Sequence, residues 1–182
     1  MQGIARQGPG GPEIWVRGPV VDAGAPPTAY AYGTASPRRC AWVATHGGAG
    51  VSTLATVFGG FDAGRRWPRP DQGEPTSVLL VARTHAAGLG SAQRYLDVFR
   101  RGEAPPGLAL GAVVLVADAP GRLPRPLAQR VRAIESMTGV HRVPWVSAWR
   151  TGDLGGRPPR ALDRLARFIG AFTPSGGGSE VR

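Results

Sequence analysis

Thr45-His46-Gly47-Gly48-Ala49-Gly50-Val51-Ser52-Thr53 decides the fold of this chain. The run before it, Cys40-Ala41-Trp42-Val43-Ala44, has the pattern of a buried strand, and Ser52 to Phe58 has that of a short helix. In such a strand, glycine turn and helix, consecutive backbone N–H groups converge on an anion and the helix N-terminus adds partial positive charge. A Ser or Thr hydroxyl there can ligate magnesium. The position that would hold a phosphate-binding lysine holds Val51. With 28 glycines in the chain, an ordinary strand-to-helix turn is the alternative. The strand before, the three spaced glycines and the Ser-Thr pair together favour the anion cradle.

Outward from this unit, apolar runs alternate with helix-periodic segments, the pattern of an α/β fold with a short, mostly parallel sheet and helices on both faces. A loop rich in Arg, Pro and Gly spans 59–76. Ser77 to Ala82 is the second strand, and a helix from Ser91 to Arg101 places Ala92, Tyr95, Leu96 and Phe99 on one face. Ala112 to Ala117 is the third strand, ending at Asp118. Its helix carries Pro126 in the first turn, Leu127, Val131 and Ile134 at helical spacing, and Gly139 as a stop. Arg142 to Val146 is the fourth strand, and a last helix begins at Pro159 with Leu162, Leu165, Phe168 and Ile169 inward. The expectation is four parallel strands and four helices in one domain, 39–172. A flexible Pro/Gly-rich arm, 1–38, precedes it and a disordered Gly/Ser tail, 173–182, follows.

The stretch His46 to Thr53 resembles the deviant Walker A loop of the ParA/MinD family of P-loop ATPases, Lys-Gly-Gly-x-Gly-Lys-Ser/Thr-Thr. Gly47, Gly48, Gly50, Ser52 and Thr53 agree with it. His46 stands where the family has the lysine that reaches the partner's nucleotide across a dimer, and Val51 where it has the lysine on the β- and γ-phosphates. The resemblance implies a three-layer P-loop fold, ATP and magnesium as ligands, nucleotide contacts from Gly47, Gly48, Gly50, Val51, Ser52 and Thr53, and a homodimer. It also implies a magnesium-orienting aspartate at a strand end, for which Asp118, in Val116-Ala117-Asp118-Ala119-Pro120-Gly121, is the candidate beside Ser52.

A second alignment makes the Asp118 strand the penultimate one, matches Val143-Pro144-Trp145 to the last core strand, and deletes a unit between Gly59 and Thr76. In both alignments the acidic residue expected on the strand after the loop helix is absent, since the matching strand runs into Arg83.

Lysine is absent from the whole chain, so all 22 basic residues are arginine and guanidinium groups alone carry the net charge of +10. Together with the abundance of Ala, Gly, Pro and Arg, this indicates a GC-biased genome of the actinobacterial kind. No lysine elsewhere replaces the missing pair, so loss of hydrolysis is the expectation. One cysteine, Cys40, excludes an internal disulfide. No run approaches the roughly 20 apolar residues of a membrane span, and no signal peptide is evident, so a cytoplasmic protein is expected.

Arg157, Arg160, Arg164 and Arg167 recur at helical spacing and form a candidate nucleic-acid-binding face, with an acidic partner or plain solvation as alternatives. His46 is a candidate phosphate contact. His85 and His141 lack metal-ligand spacing with Cys40 or any carboxylate pair. No Ser-His-Asp grouping sits in a nucleophile elbow. Trp145 and Trp149 follow the last strand, where an aromatic can stack on a base or pack in the core.

Three functions stay open. The first is a non-hydrolysing interaction or regulatory module with a protein partner, in DNA partitioning, conjugation or another mobile-element system. The second is an ATPase using arginine or partner residues in place of lysine. The third is an arginine-rich nucleic-acid-binding accessory.

Overall fold

The computed structural model describes residues 40–170; the expected arm, 1–38, and tail, 173–182, lie outside the described residues. The first strand, β1 (Cys40–Ala44), is buried along its whole length. Cys40, Trp42 and Ala44 point to one side of the sheet and Ala41 and Val43 to the other. Burial on both sides is what makes the strand an unbroken apolar run rather than an alternating one. The same holds for β3 (Ser77–Arg83) and β4 (Ala109–Val116), each with five consecutive buried residues.

A five-stranded, all-parallel sheet results, in the order β2-β1-β3-β4-β5. Helices α1 (Val51–Phe58) and α5 (Asp163–Gly170) cover one face through Val51, Leu54, Leu165 and Ile169. Helices α2 (Ala86–Arg100) and α3 (Arg125–Glu135) cover the other through Leu89, Ala92, Leu96, Val131 and Ile134. The α/β architecture expected from the sequence is present. No helix among the described residues is long and apolar enough to cross a membrane.

The sheet has one strand more than expected. Strand β2 (Phe61–Asp62) lies inside the expected loop, 59–76, and pairs with β1 through Ala41 and Trp42. Two residues are too few to show a period, but the turn before them is demanding. Gly60 has φ +95°, and a Cβ there would lie 2.7 Å from Trp42 Nε1. That indole N–H donates to the Gly59 carbonyl at 2.7 Å. A residue with a side chain would break the tight turn out of α1 that lays β2 parallel beside β1.

Other boundaries moved for local reasons. Helix α2 starts five residues earlier than expected because His85 caps it, Nδ1 accepting from the Gly88 N–H at 3.0 Å. Strand β5 (Val140–Val143) begins two residues earlier than expected and ends three earlier, stopping before Pro144, which has no N–H for the ladder. A single-turn helix, α4 (Ser147–Arg150), occupies part of the expected loop after it. The last helix is prefaced by a 3-10 turn at Arg160–Leu162.

Candidate functional site

The connections after β1 and β3 leave the sheet on opposite sides. From β1 the chain passes into α1 on one face; from the adjacent β3 it passes into α2 on the other. In open parallel sheets the crevice outside the carboxyl ends of two such strands is where ligands bind. Here the crevice receives the glycine loop from β1 and Arg83 from the end of β3.

The loop between β1 and α1 is shaped by its glycines. Gly48 (φ +74°) and Gly50 (φ +105°) occupy the left-handed region, and a Cβ at either would meet nothing within 4 Å. Their requirement is conformational rather than steric. A cavity of about 460 Å³ opens over the loop, lined by His46, all residues from Gly47 to Thr53, and Gly64, Arg65 and Arg83. The structure thus brings together every loop residue expected to contact nucleotide: Gly47, Gly48, Gly50, Val51, Ser52 and Thr53. Val51, at the place of the phosphate lysine, is only 8% exposed and belongs to the core beneath α1.

His46 faces inward. Its Nε2 accepts the Arg83 N–H at 3.0 Å, and its Nδ1 lies 2.8 Å from the Gly47 carbonyl oxygen. An acceptor at Nε2 leaves the proton on Nδ1, so the ring is neutral and both nitrogens are occupied. Gly88 makes room for this: a Cβ there would overlap the Arg83 carbonyl oxygen and stand 3.0 Å from His46 Nε2.

Asp118 does not reach the loop. It lies two residues past the end of β4, separated from β1 by β3, and its N–H donates to Thr84 Oγ1 at 3.1 Å. Two strand spacings, about 10 Å, lie between those strands. The carboxylate beside the loop is Asp62 instead, on the far side of β1. Its Oδ2 accepts from Ser52 Oγ at 2.6 Å and its Oδ1 from the Gly64 N–H at 2.8 Å. The expectation that no acidic residue follows the loop helix on the next strand is corrected here: the next strand is β2, and it ends in Asp62. The signal was present in Gly59-Gly60-Phe61-Asp62-Ala63-Gly64, an apolar-acidic pair between glycines with Ala63 buried beside it.

Ser52 and Asp118, the expected magnesium pair, are not brought together; the carboxylate that Ser52 meets is Asp62. Two hard oxygen donors fixed 2.6 Å apart fit a magnesium ion that keeps several waters. Among the described residues no group of three His, Cys, Asp or Glu side chains is placed to hold a metal. Burial pushes the Cys40 thiol up to about 11, which leaves it an inert core group at neutral pH.

Arg83 reaches across the crevice. Its Nε donates to the Gly48 carbonyl at 3.0 Å and Nη1 to the Ala117 carbonyl at 3.3 Å. On its far side a second cavity, about 200 Å³, is lined by Gly50, Thr53, Arg83, Ala117, Trp145, Trp149 and Arg150, among others. Trp149 packs on the core under α1 and α5, while the Trp145 ring carries the Arg150 guanidinium 4.3 Å from its centroid. Trp145 therefore already has a cation on one face.

A family model matches residues 40–167. The chain belongs to the family of unknown function DUF6668. No curated protein and no solved structure matches it. The DUF6668 match runs from β1 to within α5, so it contains the whole crevice: the glycine loop, Asp62, Arg65, Arg83 and the tryptophans.

The arginines of this DUF6668 chain are distributed differently from expectation. Arg157 lies in the loop before the 3-10 turn, Arg160 in that turn, and only Arg164 and Arg167 on α5. All four are exposed, opposite the buried Leu165 and Ile169. In the long loop, Arg66 grips Glu74 through both Nη atoms at 2.6 Å, which holds the Glu74 carboxyl down at about 2. Arg65 has no such partner among the described residues and turns to the cavity over the glycine loop.

Proposed function

We propose that this protein is a degenerate ParA/MinD-like P-loop module that holds a phosphate-bearing ligand weakly, does not hydrolyse it, and acts by recognising a protein partner. The burial of Val51 in the core carries the reading. At the loop position where hydrolysis needs an ammonium group, the side chain is apolar and packed downward. Stabilising charge on a transferring phosphoryl group is most of the work of such catalysis. The cradle itself is kept: left-handed Gly48 and Gly50, the N-terminus of α1, and Ser52 beside Asp62.

With magnesium present, Ser52 and Asp62 would hold it, and the ion would neutralise part of the phosphate charge. Both nitrogens of His46 are engaged within the subunit, so a homodimer would receive no cation from this position. DNA partitioning, conjugation or another mobile-element system is the setting the resemblance suggests. Phosphate release under saturating ATP and magnesium tests the reading. No release above the spontaneous rate is expected, and steady turnover on the order of 1 s⁻¹ or faster would remove it.

Exposed Arg160, Arg164 and Arg167, without a carboxylate partner among the described residues, favour nucleic-acid binding as a second reading. Affinity for duplex DNA would then fall steeply with salt and weaken in Arg164→Ala. Absence of binding at low salt would exclude it.

A further inference from the structure

We infer that Arg83, assisted by Arg65, is the cation of the glycine-loop site, and that the site takes the terminal phosphate of a phosphate ester or polyphosphate through guanidinium groups. The inference rests on the phosphate-binding reading of the loop. Position 51 supplies no charge, and the chain contains no lysine.

Arg83 is placed differently from a surface arginine. It belongs to β3, the strand next to β1, so its backbone is fixed by its ladder pairing with Val116 of β4 and by its own N–H bond to His46. Two of its five N–H groups are spent on the carbonyls of Gly48 and Ala117, which aim the plane across the crevice. The second Nη1 hydrogen and both Nη2 hydrogens are left. No carboxylate pairs with it among the described residues. Arg83 lines both cavities, over the glycine loop and beside Trp149.

Arg65 enters the first cavity from the opposite wall. It follows Gly64, whose N–H is held by Asp62 and whose carbonyl accepts the Ala44 N–H at 2.6 Å. Two guanidinium groups on either side of a loop of converging N–H groups match a phosphate's several oxygens. A planar carboxylate has too few acceptors to use both walls and the loop.

Calorimetric titration of the full chain with pyrophosphate tests this, alongside Arg83→Gln, Arg83→Lys, Arg65→Ala and the distant Arg132→Gln. The expected result is saturable binding to the wild type and to Arg132→Gln. Arg83→Gln and Arg65→Ala should each weaken it by about tenfold or more. Arg83→Lys should recover only part of the loss, because one ammonium cannot hold two carbonyls and a phosphate together. Arg65→Ala removes an exposed side chain with no partner among the described residues, so an unchanged Tm is expected alongside its loss of affinity. Thermal melting separates the roles of Arg83: a lowered Tm with unchanged pyrophosphate affinity makes it a strut between Gly48 and Ala117 and overturns the assignment. Wild-type binding that survives in both Arg83→Gln and Arg65→Ala also overturns it, while leaving the phosphate reading intact. A wild type that binds neither pyrophosphate nor ATP overturns both.

Discussion

Ser52 Oγ donates to Asp62 Oδ2 at 2.6 Å, joining the first turn of α1 to the end of β2. The bond makes the shortest strand of the sheet part of the candidate site. A return from α1 that was looser by one residue would move Asp62 away from β1, because strand register and side-chain direction change together.

Replacing Asp62 separates metal from phosphate. Asp62→Asn keeps Oδ1 to accept the Gly64 N–H and turns Nδ2 toward Ser52 Oγ, to which it can donate, but removes the negative charge that suits magnesium. ATP affinity measured in EDTA should change by less than about twofold, since hydrogen bonding is retained. The increase in affinity on adding magnesium should disappear. An undiminished magnesium effect would place the metal elsewhere.

Gly88 is expected to tolerate no side chain. Gly88→Ala forces the added methyl against the Arg83 carbonyl and the His46 ring. Overpacking of this kind costs about 1–3 kcal/mol, read as a lower urea midpoint at unchanged m-value. Pyrophosphate affinity should fall with it, because His46 and Arg83 must shift. A variant as stable as the wild type would mean that the contact between α2 and β3 relaxes freely.

Restoring the lysine is a direct trial of what Val51 has displaced. In Val51→Lys the core under α1 loses an apolar side chain, at a cost of about 1–3 kcal/mol. The ammonium can reach up into the cavity. Tighter ATP binding is expected, without turnover. Turnover on the order of 1 s⁻¹ in this single variant would show that lysine was the one missing part.

His141 gives the protein a pH-dependent stability. Burial, with the Arg164 guanidinium nearby, holds its imidazole below the ordinary 6.5. The unfolded chain therefore takes up the proton first as pH falls, and the folded state is stabilised least in acid. The His141 contribution is complete above about pH 6.5 and is lost as pH drops toward the lowered folded value. His141→Leu should flatten the fall in urea midpoint between pH 7 and 5. An unchanged slope would assign it to other groups.

How far the sequence discloses the structure follows from burial. β1, β3 and β4 are covered on both faces, so their apolar runs are continuous and legible. α2 was legible from Ala92, Leu96 and Phe99, but its start was hidden, since a histidine cap gives no pattern. β2 could not show a period in two residues, and with it Asp62 was lost, leaving Asp118 as the only acidic candidate. Arg83 was visible only as the residue standing where an aspartate was expected. Its position over the loop depends on β3 lying next to β1, which the sheet order decides. The strand-to-helix turn from Gly47 to Thr53 was legible because its signal is local: glycines where the backbone is left-handed at Gly48 and Gly50.

Isothermal titration of the intact protein with ATP and magnesium tests most directly whether the loop binds without hydrolysing. A saturable isotherm is expected, with Kd at or weaker than about 100 µM, followed by a flat baseline once the ligand is in excess. A continuing heat of hydrolysis after saturation, or no isotherm at all up to millimolar ligand, would contradict it.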